Sequence, residues 1–368
     1  MDERINVASH EPLADSERAL LSVLFRHRSL PRSDITGLTS LSQQSVHRLL
    51  DGLHQRGFVR FGAAEIRGRG KPSPTVELDP EGFATLGLSI TTEAAFLCLL
   101  DLTGNAVGLQ QLDADPNDPA LVFAELETRL ALPPCASHRL LGIGVALQGY
   151  RNGDPQKFFT PLPLAAWRGI PVVTLLEQRL GLPAFAENNA TTSATAEFFT
   201  GGGADLTCLA YLSFNYGFGG GIFWEGRAMV GAHGNAGELS GFFGTDRMQS
   251  RPALGELRKR LNARGIEVGR ISDMCANFDP DWPGLRDWIG ECGPQLRDIL
   301  AAIKAIVDPG AIFFGGDAPP ELRKMLIAEA QGAFSGTDTP NPALLESRIE
   351  GDAAHLGAAF LPLHALVL

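Results

Sequence analysis

Long apolar runs are missing from this 368-residue chain. None reaches the length that spans a bilayer, and the opening MDERINVASHEPLADSER has no apolar stretch able to serve as a signal peptide, so a cytoplasmic protein without a membrane partner is expected. Cysteine is scarce too. Cys98, Cys135, Cys208, Cys275 and Cys292 stand far apart and form none of the close pairs that a metal site or a small disulfide framework needs, so they are expected as buried thiols. Positive charge is in short supply: a net charge of −11 argues, on average, against a nucleic-acid partner. The average conceals an asymmetry. Between residues 16 and 72, ten Lys and Arg residues stand against four Asp and Glu, so a basic head precedes an acidic remainder.

What is present supports sizeable cores. A hydrophobic fraction of 44% with 20% charged residues is ordinary for a globular protein, and the length suggests two or three packed units. In the head, SERALLSVLFRHRSLPRSDITGLTSLSQQSVHRLLDGLHQRGFVR (16–60) contains three short helical patterns. Leu20, Leu21, Leu24 and Phe25 make the first apolar stripe, which ends near Arg28 before Pro31. A brief second segment runs from Ser33 to Leu38. Ser42 then reads as the N-cap of a third helix whose Val46, Leu49, Leu50 and Leu53 face inward and which Gly57 stops. The short interval GLTSL suits a helix-turn-helix, and the outward Gln43, Gln44, Ser45, His47 and Arg48 are residue types that read base edges in the major groove.

FVRFGAAEIRGRGKPSPTVELD then reads as strand, turn, strand, with Arg67, Arg69 and Lys71 at a glycine-spaced tip suited to phosphates or a minor groove. That is the pattern of a wing. The alternative is a protein-protein module whose basic tip is a solvated turn.

From FATLGLSITTEAAFLCLLDLTGNAVGLQQ (83–111) onward, glycine-punctuated strand patterns alternate with helical ones. Leu86–Ile90 and Ala95–Asp101 read as adjacent strands, LLGIGVALQG (140–149) as a buried one and 305–317 as a late one, while 119–132 and 285–307 are helical. An α/β body with two lobes and a cleft is expected. The expected division is a head at 1–80 and a body at 81–368. Within the body, lobe one is about 81–184 plus the C-terminal helix, and lobe two is about 185–345.

The order of these motifs resembles the ROK family (repressors, open reading frames, sugar kinases). SDITGLTSLSQQSVHRLLDGLHQRGFVR and RGRGKPSPTVEL look like the winged helix of its repressor branch. LGIGVALQG, AENNATTSATAEFF, GFGGGIFWEGRAMVGAHGNAGELSG and DPGAIFFGGD follow in the family's order, from about residue 16 to the C-terminus. The resemblance implies an N-terminal winged helix-turn-helix on a two-lobed actin-like (ribonuclease H-like, hexokinase-like) body.

Three departures from the family's kinases bear on activity. Where they hold ATP phosphates with an Asp-x-Gly-Gly-Thr turn, this chain has Ser89, Thr91, Thr92 and Glu93, lacking the glycines and adding a repulsive carboxylate. Where they have the general-base Asp of Glu-Asn-Asp, it has Asn189 after Glu187 and Asn188, and a carboxamide has no useful basicity. Where a His and a cysteine-rich zinc loop follow the conserved-looking Glu, it has Glu238, then Gly241, and no Cys before Cys275, so no zinc or other cofactor is expected. An amide still donates and accepts hydrogen bonds, so binding can outlive catalysis.

The resemblance therefore implies a non-enzymatic, DNA-binding transcriptional regulator, a repressor responding to a sugar or derivative. It would form a homodimer or homotetramer on a double-stranded operator. The expected ligand residues are Gln148, Gly149, Asn188, Asn189 and Glu238, with Glu187 a second acceptor and His233 either a replacement for the missing His or, the favoured alternative, a packed or solvent-exposed histidine. Either carboxylate could instead brace a loop, and GFGGG (217–221) could be a phosphate cradle or a packed strand turn. A sugar kinase with a DNA-binding appendage and a ligand-independent DNA-binding scaffold are the alternatives.

Overall fold

The computed structural model describes residues 6–8, 11–65, 73–154, 156–244, 247–336 and 339–368; the wing-tip residues Arg67, Arg69 and Lys71 lie outside them. Three helices open the fold: α1 (Asp15–His27), α2 (Arg32–Gly37) and α3 (Gln43–Arg56). The apolar stripes meet, burying Leu20, Leu21, Leu24 and Phe25 of α1 with Ile35, Val46, Leu50 and Leu53. Leu49, expected inside, is only half-buried, because it sits about 100° round the helix from Leu50, at the edge of the inward stripe. Ser42 caps α3, its Oγ accepting from Ser45 N at 3.2 Å, and Gly57 ends it at φ +84°, a left-handed conformation that favours glycine.

Between α1 and α2 lies β1 (Ser29–Pro31), absent from the sequence reading because three residues carry no period. It pairs antiparallel with β3 (Ser73–Leu78), which pairs antiparallel with β2 (Val59–Glu65). Ion pairs Arg56–Glu17 (2.9 Å) and Arg32–Asp51 (2.6 Å) tie the helices together, and the Arg32 guanidinium lies over the Phe61 ring of β2.

The body is built on one sheet pattern used twice. The first sheet has order β10-β7-β4-β5-β6. Its β4 (Ala84–Ile90), β5 (Ala95–Asp101) and β6 (Ala106–Leu112) run antiparallel, while β7 (Leu140–Leu147) and β10 (Ala184–Asn188) run parallel to β4. Along this stretch come α4 (Pro119–Leu130), the small hairpin β8 (Tyr150–Arg151) and β9 (Phe158–Phe159), and α5 (Val172–Leu180). Helix α6 (Asn189–Thr200) follows β10 directly.

The second sheet repeats the order as β13-β12-β11-β14-β15. Here β11 (Cys208–Phe214), β12 (Phe218–Trp224) and β13 (Arg227–Ala228) are antiparallel, and β14 (Ala311–Gly315) and β15 (Ala343–Glu346) run parallel to β11. Around it lie α7 (Leu254–Ala263), α8 (Ile271–Ala276), α9 (Leu285–Val307) and α10 (Pro320–Ala330); α11 (Ala354–Leu366) closes the chain. The body is thus the two-lobed actin-like fold. Among the described residues no helix is long and apolar enough to cross a membrane.

The lobes join through α6 and α11. Helix α6 packs on β11 and β12, α11 packs on β4 and β7, and the two helices lie against each other. Small residues permit this approach: a Cβ on Gly357 of α11 would fall 1.7 Å from the Thr192 carbonyl oxygen, and one on Gly221 of β12 would fall 2.6 Å from that of Ala190. Each lobe has its own apolar core, one around Leu86, Val145 and Trp167, the other around Trp288, Leu296 and Phe314.

A third core runs from head to body. Leu20, Leu24 and Phe58 of the head cluster with Leu100, Leu102 and Leu141, and with Phe360, Leu363 and Val367 at the chain's end. Arg18 Nη2 donates to His364 O at 3.1 Å, and Ser22 Oγ to Leu368 O at 2.9 Å.

The five cysteines are free thiols; Cys98, Cys135 and Cys292 are buried as expected, but Cys208 and Cys275 are only partly so. Cys208 heads the interlobe-facing β11 at its open end, and Cys275 sits on the short surface helix α8. Burial pushes Cys98, Cys275 and Cys292 up to about 12 and Cys135 up to about 11, so none is a ready thiolate at neutral pH.

Candidate functional site

A cavity of about 410 Å³ opens where the two sheets' loops face each other across α6, a size suited to a small molecule. Gln148, Gly149, Asn188, Asn189 and Glu238 all line it. Gly149, at φ +137°, passes so close to β9 that a Cβ would lie 2.6 Å from Phe159 O, and this turn aims the Gly149 carbonyl at the Asn188 amide. Asn188 is the cap of α6: its Oδ1 accepts from Ala190 N at 2.7 Å, while Nδ2 donates to Gly149 O and, at 2.9 Å, to Glu238 Oε1. One side chain therefore joins β7, α6 and the loop after β13.

Among the described residues, several polar groups in this cavity have no well-formed hydrogen-bond partner. Asn189, 3% exposed, makes no well-formed hydrogen bond through either amide atom, although its side chain is close enough to the Asp352 carboxylate to favour the ionised form through a looser one. Ser213 Oγ and Gln148 Oε1 are likewise unpartnered. Buried polar atoms are rarely left so, and each costs about 1–3 kcal/mol unless a ligand or water satisfies it. Their convergence on one cavity is the signature of a binding site. Burial, and then the charge of Glu187, push Glu238 up to about 7, so it sits near the point where it changes from hydrogen-bond donor to acceptor only.

Two expected ligand residues lie elsewhere. His233 is exposed and does not line the cavity; it projects from a turn fixed by Gly231, Gly234 and Gly237 at positive φ and by the Ala236 N to Val230 O hydrogen bond. Glu187 is also outside the lining. Its Oε2 meets Arg151 Nη1 at 3.2 Å and its Oε1 accepts from Asn188 N at 2.8 Å, so it braces the turn as an ion-paired support. Burial raises its affinity for a proton and Arg151 opposes this. Arg151 itself carries no sequence signal of this role, nor does Asn235, which exchanges hydrogen bonds with the Arg151 backbone at 2.7 and 2.8 Å.

The stretch in place of the family's phosphate turn is closed by its own side chains. Thr91 Oγ1 accepts from Glu93 N (3.3 Å) and Ala94 N (3.1 Å), occupying the amides a phosphate would use. Glu93 does not point freely into the cleft; its carboxylate caps α8 through Ile271 N, Ser272 N and Ser272 Oγ, with Arg258 and Arg270 at 3.6 and 3.8 Å. The GFGGG run has packing reasons for its glycines, since Gly221 abuts α6 and a Cβ on Gly220 would meet Leu239. Among the described residues, no group of three His, Cys, Asp or Glu could hold a metal ion.

A second polar surface lies on the head. Gln43, Gln44 and Arg48 are exposed at the start of α3, with Ser45 and His47 half-buried between them. Among the described residues, none bonds to Gln43, Gln44 or Arg48 side chains, so this face is available to a partner.

The two surfaces are linked by α6. Its first turn holds Asn189 in the cavity; about 15 Å along the axis at 1.5 Å per residue, Phe199 stacks on Phe360 at 4.7 Å and meets Phe25 of α1 edge-on at 5.7 Å.

A winged helix-turn-helix joined to a two-lobed actin-like body, with a ligand-sized cavity between the lobes, defines the class. The chain carries a ROK family domain: the family model "ROK family" matches residues 85–251. The chain is 26% identical to the uncharacterized protein y4fQ of Sinorhizobium fredii over 95% of its length and 91% of that protein's. It is 26% identical to a putative xylose repressor of Caldicellulosiruptor sp. over 60% of its length, a match spanning 56% of that repressor. Its structure superposes on a ROK family transcriptional regulator, a homolog of the E. coli MLC protein, with a TM-score of 0.75 at 21% identity, covering 96% of both chains, head included. Solved ROK hexokinases and glucokinases share the fold of the body.

Proposed function

We propose that this protein is a DNA-binding transcriptional regulator, a repressor, whose body senses a small hydroxylated metabolite and has lost kinase activity. In this reading the labour divides between residues 1–80 and 81–368, the first lobe reaching through β10 to Asn188 and so past the expected limit of 184. Residues 1–80 read DNA through Gln43, Gln44, Ser45, His47 and Arg48 on α3 and Arg67, Arg69 and Lys71 on the wing. Residues 81–368 hold the effector through Gln148, Gly149, Asn188, Asn189 and Glu238 and form a homodimer in the cytoplasm.

The observation that carries this reading is α6, one rigid helix with effector-site side chains at its first turn and the head's own core at its last. A ligand that moves Asn188 and Asn189 moves Phe199 against Phe25, and with it the angle of a recognition helix. In a dimer the half-site spacing is fixed, so a small rotation changes operator affinity. Resemblance to repressors supports the same reading. Loss of phosphoryl transfer is supported by the amide at 189, which forfeits about 10²–10⁴-fold of general-base help, and by the occupied amides at residues 93 and 94.

The test uses the full chain, because cutting at residue 80 would expose Leu100, Leu102, Leu141 and Phe360. Genomic fragments bound by the protein are selected, and the best is titrated with and without candidate sugars, with ATP turnover followed in parallel. The expected result is a specific operator whose affinity changes with one hydroxylated compound and no phosphorylated product. Operator affinity indifferent to every compound sinks the sensor, and sugar-dependent ATP turnover sinks the loss of activity. Arg48→Ala should cost about 1–3 kcal/mol at one base position, whereas Arg69→Ala should weaken all sequences alike and reduce the salt slope by about one.

A further inference from the structure

The charged groups of the cavity do not match a neutral sugar. Arg168, from the loop between β9 and α5 in the first lobe, donates through Nε to Thr160 O at 2.9 Å and lies over the Phe159 ring at 4.4 Å. Among the described residues no carboxylate pairs with it. Arg251, just before α7 in the second lobe, faces Glu256 at 3.5 Å and keeps a buried Nε–H without an acceptor among the described residues. Arg151, ion-paired with Glu187 at 3.2 Å, is not part of the lining. Glu238 is the one carboxylate in the lining, and burial raises it to about 7, so that near neutral pH it is only partly ionised. The lining thus presents two guanidinium groups from opposite walls, Arg168 without a carboxylate and Arg251 with Glu256 at 3.5 Å on one side only, to a space whose buried Asn189 and Ser213 side chains make no well-formed hydrogen bond among the described residues.

We propose that the effector is a hydroxylated anion, a carbohydrate carrying a carboxylate or a phosphate, with its charged group held by Arg251 and Arg168 and its hydroxyls by Asn188, Asn189, Ser213 and Glu238. The proposal rests on the sensor reading and names the ligand class of that same cavity. A planar guanidinium offers parallel N–H donors matched to a carboxylate or phosphate edge, and such charge-assisted bonds are about twice as strong as neutral ones. An anion supplies the acceptor that Arg251 Nε lacks. Because the two guanidinium groups come from opposite lobes, an anion held by both also draws the walls together.

The test is calorimetric titration of the full chain with glucose, xylose and N-acetylglucosamine, with glucuronate, galacturonate and gluconate, and with glucose 6-phosphate and 6-phosphogluconate. At least one acid or phosphate ester should bind tenfold or more tightly than its neutral parent, and the tighter arm distinguishes carboxylate from phosphate. Arg251→Met should weaken that binding roughly ten- to a hundredfold, Arg251→Lys should restore part of it, and neither should change the parent sugar's binding. Arg168→Met, at the exposed rim, should have a smaller effect in the same direction and serves if Arg251→Met does not fold. Neutral sugars binding as tightly as their anions, or anion binding indifferent to both arginines, overturns the proposal. A neutral sugar that alone releases the operator overturns it while leaving the regulator intact; silence across the panel overturns this ligand class and the sensor together.

Discussion

At its first turn α6 presents amides to a cavity, and the Asn189 side chain satisfies neither its donors nor its acceptor there. At its last turn the same helix is enclosed by rings: Phe198 stacks on Phe223 at 4.3 Å, and Phe199 joins Phe360 and Phe25. One end is polar, with amide groups that lack well-formed partners among the described residues; the other is apolar and closely packed. Between them the helix is buried on every side, with Ser193 bonded to Asp352 and Glu197 to Gly202 N and Ser347. On the proposed reading, a stiff helix with a loose end at the cavity and a fixed end among these rings passes a displacement on to Phe25 of the head.

The largest effect should come from breaking the fixed end. Phe360→Ala deletes a fully buried ring shared by α1, α6 and α11, at a cost of about 3–5 kcal/mol. Calorimetry should show a lower melting temperature and a separate, earlier transition for the head. A single unsplit transition would show that the head does not depend on this core.

The loose end should respond in the opposite sense. Asn189→Leu replaces an unsatisfied buried amide by an apolar group of similar size and should stabilise the free protein by about 1–2 kcal/mol. Ligand binding should be lost. A destabilised variant would mean that Asn189 already has a partner in the free protein.

The smallest effect is a pH dependence. Burial and Glu187 raise Glu238 to about 7 in the folded chain, above the ordinary carboxylate value near 4.3. The folded state therefore holds this proton more tightly than the unfolded one, and ionisation destabilises it progressively between those two values. Glu238→Gln should leave stability unchanged below about pH 4 and raise it by on the order of 1 kcal/mol above pH 7, the charge lying at an open cavity wall. An equal change at both pH values, read from melting curves, would assign the effect to the lost shape of the carboxylate instead.

The fixed end and the loose end were unequally legible in the sequence. Helix stripes, the Ser42 cap and the Gly57 stop are local, so the head's helices could be read directly, and β5 and α9 fall at the expected residues. Asn188, Asn189 and Glu238 were visible through the family-like motif around them. Arg151, Arg168, Ser213 and Arg251 were not. They lie on loops or at strand ends without periodicity, and only the topology of two sheets brings them to one cavity. His233 misled because proximity in sequence to Glu238 does not survive a glycine turn that reverses the chain. Glu187 misled because its partner, Arg151, is 36 residues away.

The head's core also has a consequence for the order of events as the chain is made. Arg18 leaves the ribosome 346 residues before the His364 it bonds to, and Leu20 and Leu24 emerge long before Phe360, Leu363 and Val367. Contacts so distant along the chain form late and slowly. The head thus precedes the residues that complete its core, and a growing chain has no finished head until Phe360, Leu363 and Val367 have been translated.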